Sequence, residues 1–119
     1  MSFNFEKLIV WQEAIELTGK IHDLTLTFPK EELYVLSSQI KRAADSIALN
    51  IAEGSTGQSK KEFKRFLGFA LRSGIEIISC LYVAKRRNLI DENIFKEYYK
   101  IIEQLIIKIQ ALRKSLRED

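Results

Sequence analysis

The strongest constraint on this chain is a helical spacing of apolar residues that recurs in four segments and is interrupted at only a few points. In the first segment Val10, Ala14, Leu17, Ile21, Leu24 and Phe28 follow at steps of four and three, which keeps them on one face. Leu8, Trp11 and Ile15 add a second stripe at its start. A residue before proline is pushed out of the α region, so Phe28-Pro29 ends the segment and predicts a helix over residues 5–27.

Leu33, Leu36, Ile40, Ala43, Ala44, Ile47 and Ile51 predict a second helix over 32–53, with Ser37 an alternative N-cap after a short irregular turn. Ala43, Ala44, Ala48 and Ala52 are small enough to let a neighbouring helix come close, and Gly54 stands where a left-handed C-cap would fall. Residues 54–59 alone have a loop-like composition. Ser59 with Glu62 three residues on reads as a capping box that opens a third helix, 60–87. Asp91 caps a fourth, 92–116. Four amphipathic helices on short connections pack as an up-down-up-down antiparallel bundle, here one all-α domain over 1–119.

Composition agrees. A chain of 119 residues, 46% hydrophobic with one Pro and five Gly, suits one continuous helical core and argues against disorder. No unbroken apolar run approaches the roughly 20 residues of a bilayer span, so no membrane partner is expected. The first ten residues lack a basic-then-apolar signal layout, and the lone Cys80 fits a reducing cytoplasm.

The fourth segment is unusually apolar. Ile94, Tyr98, Ile101, Leu105, Ile109, Leu112 and Leu116 form one stripe, and Phe95, Tyr99, Ile102 and Ile106 form a second beside it. Together they span about 160°, against the roughly 100° that a bundle helix needs, and Ile107 lies outside even that arc. The second stripe is therefore expected to be an oligomer interface.

Candidate chemistry is sparse. His22 has no second His or Cys at ligand spacing, so no metal site is expected, and Cys80 sits in an apolar setting. No phosphate-binding glycine loop occurs, so neither a cofactor nor a small-molecule substrate is expected. Asn50, Glu53, Arg72, Ser73 and Glu76 lie near the core faces of the second and third helices. They are expected to form a structural hydrogen-bonded network rather than a catalytic centre. An enzyme built on Glu53, Glu76 and Arg72 would need one accessible pocket holding both carboxylates.

Charge supplies the better lead. Residues 1–59 carry 5 Lys/Arg against 8 Asp/Glu, and residues 60–119 carry 14 against 8. The bundle topology brings the start of the third helix and the end of the fourth to one pole, collecting Lys60, Lys61, Lys64, Arg65, Arg113, Lys114 and Arg117 against Glu62, Glu118 and Asp119. Cations at a helix C-terminus suit the macrodipole; those at a helix start oppose it by about 0.3–1 kcal/mol each. Such a choice asks for a compensating use, and binding phosphate is one. Lys85, Arg86 and Arg87 form a smaller cluster at the opposite pole. No aromatic-plus-basic surface motif stands out, so little sequence specificity is expected.

Gln39-Ile40-Lys41-Arg42-Ala43-Ala44-Asp45-Ser46-Ile47 followed by Asn50-Ile51-Ala52-Glu53-Gly54 resembles the bacterial four-helix bundle proteins encoded by intervening sequences of 23S ribosomal RNA genes, also labelled S23 ribosomal proteins. The likeness extends to Phe3–Trp11, to Phe28-Pro29 with Glu32, to Phe63-x-x-Phe66-Leu67-x-x-Ala70 and to Ser73-x-x-Glu76; Arg72 departs from the small residue common there. The resemblance implies a homopentameric bundle and, more weakly, RNA or DNA binding. Accessory bundles of diversity-generating retroelements, similar in architecture, work with a reverse transcriptase through a basic surface. No catalytic residues come with the resemblance. The expected protein is thus a non-enzymatic oligomer that contacts the phosphate backbone of RNA through its basic pole. The alternative is a protein-interaction adaptor using the apolar face of the fourth helix.

Overall fold

In the computed structural model, which describes residues 2–57 and 59–117, the chain is an all-α bundle of four helices: α1 (Ile9–Thr25), α2 (Leu36–Ser55), α3 (Lys60–Arg86) and α4 (Glu92–Ser115). Each runs antiparallel to the next. At 1.5 Å per residue the 27 residues of α3 span about 40 Å, most of the 48 Å length of the molecule. Leu17, Ile21, Ile40, Ile47, Ile51, Leu67, Ile77, Leu81, Ile102 and Ile109 fill the centre completely buried.

The ends of the helices depart from the spacing in ways that have local causes. Residues Asn4–Lys7 form a 3₁₀ turn instead of opening α1, because Leu8 is extended (φ −79°, ψ 124°). Phe3 stacks on Phe5, Phe5 meets Trp11 edge-on with ring centres 4.9 Å apart, and Gln12 Nε2 donates to the Glu6 carbonyl at 2.8 Å. Those contacts draw the chain across the end of the helix. At the other end α1 stops at Thr25. The Thr25 and Thr27 hydroxyls donate back to the carbonyls of His22 and Leu24 at 2.7 Å each, closing the last turns.

Helix α2 begins at Leu36, neither at residue 32 nor with Ser37 as its cap. A 3₁₀ turn, Lys30–Glu32, and a sharp backbone break at Val35 (φ −119°, ψ −99°) intervene, and Ser37 is buried inside the first turn. Gly54 is no left-handed cap either, since no glycine among the described residues has positive φ and α2 continues to Ser55. Its function is closeness: a Cβ there would lie 2.7 Å from Phe66 Cβ and 3.0 Å from the Phe63 ring. The left-handed residue is Asn88 (φ 60°), which ends α3 in a Schellman motif. Asn88 N–H donates to the Lys85 carbonyl at 3.0 Å and Leu89 N–H to the Ala84 carbonyl at 2.9 Å. Ser59 Oγ and Asp91 Oδ1 cap α3 and α4 as their positions predict, at 3.1 and 2.8 Å. The Glu62 carboxylate turns to Arg65 (3.7 Å).

The oligomer face expected on α4 is largely absorbed by this chain's own core. Phe95 and Ile102 are buried, Tyr99 is half-buried with its ring 5.7 Å from that of Phe95, and Ile106 presses onto Gly74 of α3. A Cβ on Gly74 would come within 2.9 Å of Ile106 Cγ1, so α4 lies close against α3; of the two stripes Phe95, Ile102, Leu105 and Ile109 are buried and the rest are half-buried. Exposed apolar side chains are spread over the molecule: Ile75, Tyr82 and Ile107 on α3 and α4, Ile9 and Leu49 on α1 and α2, and Leu26 and Tyr34 between those two helices.

Contrary to the expectation from unbroken apolar runs, α3 is long and apolar enough to cross a membrane by length and composition. Its buried residues Leu67, Ala70, Gly74, Ile77, Cys80, Leu81 and Ala84 pack within the bundle, as in the central helix of a helical core.

The glycines make a paired prediction. Gly19 lies mid-helix with nothing within 4 Å of a Cβ, so Gly19→Ala should stabilise by about 1 kcal/mol. Gly74→Ala should destabilise by about 1–3 kcal/mol through overpacking on Ile106. Urea denaturation of both variants checks the opposite signs.

Candidate nucleic-acid interface

The expected structural network contracts to fewer members. Ser73 Oγ on α3 donates to Ser46 Oγ on α2 at 2.9 Å, and Asn50 Nδ2 donates to the same hydroxyl at 2.9 Å and to the Ser46 carbonyl at 2.8 Å. Ser46, unremarked in the sequence, is therefore the hub. Glu53 and Arg72 are exposed and outside it, and Glu76 is reached only by Gln39 Nε2, at 3.4 Å. No ion pair joins Arg72 to Glu76 among the described residues, although they stand one turn apart. Glu76 borders the two clefts beside Gln39, and Glu53 borders neither of them.

His22 is exposed at the end of α1, and no group of three or more His, Cys, Asp or Glu among the described residues could hold a metal. Cys80 is buried beside Leu36 and Gln39. Burial first, and the nearby Glu76 charge second, push its thiol from an ordinary value of 9.0 up to about 11. The neutral thiol is thus the form that the fold favours. Its stabilising contribution is complete below about pH 9 and is lost as pH rises towards 11. The difference in melting temperature between the wild type and Cys80→Ala should shift against the wild type across that window, and a thiol reagent at pH 8 should label Cys80 only after unfolding.

The basic pole assembles where the topology predicts. Arg113 Nε on α4 donates to the Lys64 carbonyl on α3 at 2.9 Å, which ties the end of one helix to the start of the other. Three guanidinium atoms of Arg113 lie 3.4, 3.6 and 3.8 Å from where a Gly68 Cβ would be. Near-equal distances mean that the plane of the guanidinium lies flat over the missing side chain. Lys64, Leu71, Ile107, Gln110, Ala111, Arg113 and Lys114 line a groove of about 580 Å³ between the two helices, with no carboxylate among them. Lys60 and Lys61 stand exposed in the first turn of α3, and Arg117 is exposed just past α4. Glu118 and Asp119, expected to oppose the cluster, lie outside the described residues.

Arg65 belongs to the pole in sequence but faces another way. It reaches Glu62 at 3.7 Å and lies over both Phe66 and Phe69, 5.4 and 5.5 Å from the ring centres, with the two rings edge to face. The guanidinium thus covers two half-buried rings of its own helix, because positions 65, 66 and 69 share one side of α3.

Lys85, Arg86 and Arg87 meet a different fate at the opposite pole. Lys85 pairs with Glu92 at 2.8 Å and sits 4.4 Å above the Phe95 ring, while Arg87 grips both oxygens of Glu32 at 3.0 and 3.2 Å. The hydrogen bond from Lys85 holds the Glu92 carboxyl below its usual range. Lys85 and Arg87 thereby help to close the bundle, while Arg86 is exposed.

The fold, four antiparallel helices with a cationic groove between the third and fourth, places the chain among small all-α helical bundles. The model of the family described as 23S rRNA-intervening sequence protein matches residues 6–111, and the chain belongs to that family. A crystal structure of a protein of unknown function from the S23 ribosomal protein family of Bacteroides thetaiotaomicron shares the fold. Its TM-score is 0.80 at 22% identity, over 90% of this chain and all of that one. No functionally curated protein matches the chain.

Proposed function

We propose that this protein is a non-enzymatic, RNA-associated bundle that contacts phosphate backbone through the pole formed by the start of α3 and the end of α4. The observation that carries the reading is the groove in which Lys64, Arg113 and Lys114 converge from two helices at one pole. Lys60 and Lys61 extend the same field in the first turn of α3. Backbone N–H groups at that helix start attract anions as well. Contacts of this kind follow charge and spacing, so they discriminate weakly between sequences.

A salt titration of fluorescent RNA binding tests the reading. Affinity should fall as salt rises, and replacing Lys60, Lys61 and Lys64 together by Ala should flatten the log–log slope by about 2–3. Equal binding by the wild type and that variant at low salt would sink the proposal.

The same protein is proposed to self-associate as the closed ring that the resemblance implies, and the exposed Ile75 and Tyr82 on α3 offer apolar surface for it. Repetition of the pole around a ring would raise weak phosphate contacts by avidity. Light scattering should give about five times the 13.8 kDa chain mass, and a monomer would refute the ring. The adaptor reading has lost its footing, since Phe95 and Ile102 of the α4 face are inside the core.

A further inference from the structure

We propose that the groove between α3 and α4 seats an unpaired nucleobase, so that the ligand of the basic pole is single-stranded RNA rather than duplex. The inference rests on the RNA-binding reading above and specifies its substrate class. A surface built only for phosphates needs cations and little else. This groove has a floor of Leu71, Ile107 and Ala111 beneath its cationic rim, and Ile107 is 56% exposed, where it gains little for the fold.

The guanidinium of Arg113 is the second component. Gly68 beneath it and the hydrogen bond from Nε to the Lys64 carbonyl fix the orientation of its plane. One face lies against α3, and the residue remains exposed in the lining of the groove. A guanidinium plane is a stacking surface for a base, and apolar side chains complete such a slot. Gln110 beside it carries both a donor and an acceptor for the edge of a base. At about 580 Å³ the groove falls within the range of small-molecule clefts, about 300–1,000 Å³. A duplex keeps the faces of its bases inside its own stack and could offer this groove only phosphate. An unpaired nucleotide offers base and phosphate together, matching apolar floor and cationic rim.

Fluorescence anisotropy with a labelled 12-nucleotide RNA, free and annealed to its complement, tests the proposal at fixed low salt. The wild type should bind the single strand about tenfold more tightly than the duplex. Arg113→Lys keeps the charge but removes the plane, and Ile107→Ser removes apolar floor at an exposed site. Ile107→Ser should weaken single-strand binding about tenfold and leave duplex binding unchanged, and Arg113→Lys should weaken single-strand binding about tenfold more than it weakens duplex binding. Equal affinity of the wild type for the two probes overturns this inference while leaving phosphate binding intact. Binding of neither probe overturns the RNA reading itself. A change in the light-scattering mass of Ile107→Ser would show that a second copy fills the groove, and would also overturn the inference.

Discussion

The absence of a side chain at Gly74 governs this bundle more than any contact that is present. Ile106 occupies the space, close enough that one added carbon would clash at 2.9 Å. The approach lets α4 bury Phe95, Ile102, Leu105 and Ile109 within a single chain, drawing Phe95 and Ile102 from an expected surface into the core. Six residues earlier on α3 and seven later on α4, the same seam brings the Arg113 guanidinium flat over Gly68. Packing and site are consequences of one helix spacing.

That seam also explains why two basic clusters of similar composition end differently. Lys85 and Arg87 sit where α3 meets the start of α4 and the turn before α2, and there Glu92 and Glu32 reach them. Lys64, Arg113 and Lys114 meet across a groove whose lining, among the described residues, contains no acid. Net charge along the sequence cannot separate these cases, because pairing depends on which side chains the helices bring within a few ångströms. The carboxylate pairings of Lys85 and Arg87 make the first pole, rather than the second, the candidate for an anionic ligand.

The polar residues tell a related story at shorter range. Asn50 and Ser73 were legible as partners because their positions border the core faces of neighbouring helices. Ser46 was not, although it accepts from both, since a serine in mid-helix carries no distinguishing pattern. Glu53 and Arg72 failed to join because their positions rotate them outward, where water already satisfies their charge. The stack of Arg65 on Phe66 and Phe69 was likewise hidden, since a ring spacing of three residues reads equally well as core.

Apolar periodicity alone determined the number of helices, their order, the caps at Ser59 and Asp91, and most buried positions of the first three helices, because burial repeats with the 3.6-residue turn. It also brought the start of the third helix and the end of the fourth to one pole, since short connections force antiparallel neighbours. Only tertiary structure decided how deep each helix lies. That depth depends on the volume facing each glycine, which turned Gly54 from a cap into a contact and α4 from an interface into core. The cationic groove with its apolar floor is a product of that depth: its residues come from two helices some forty positions apart, and no local pattern joins them.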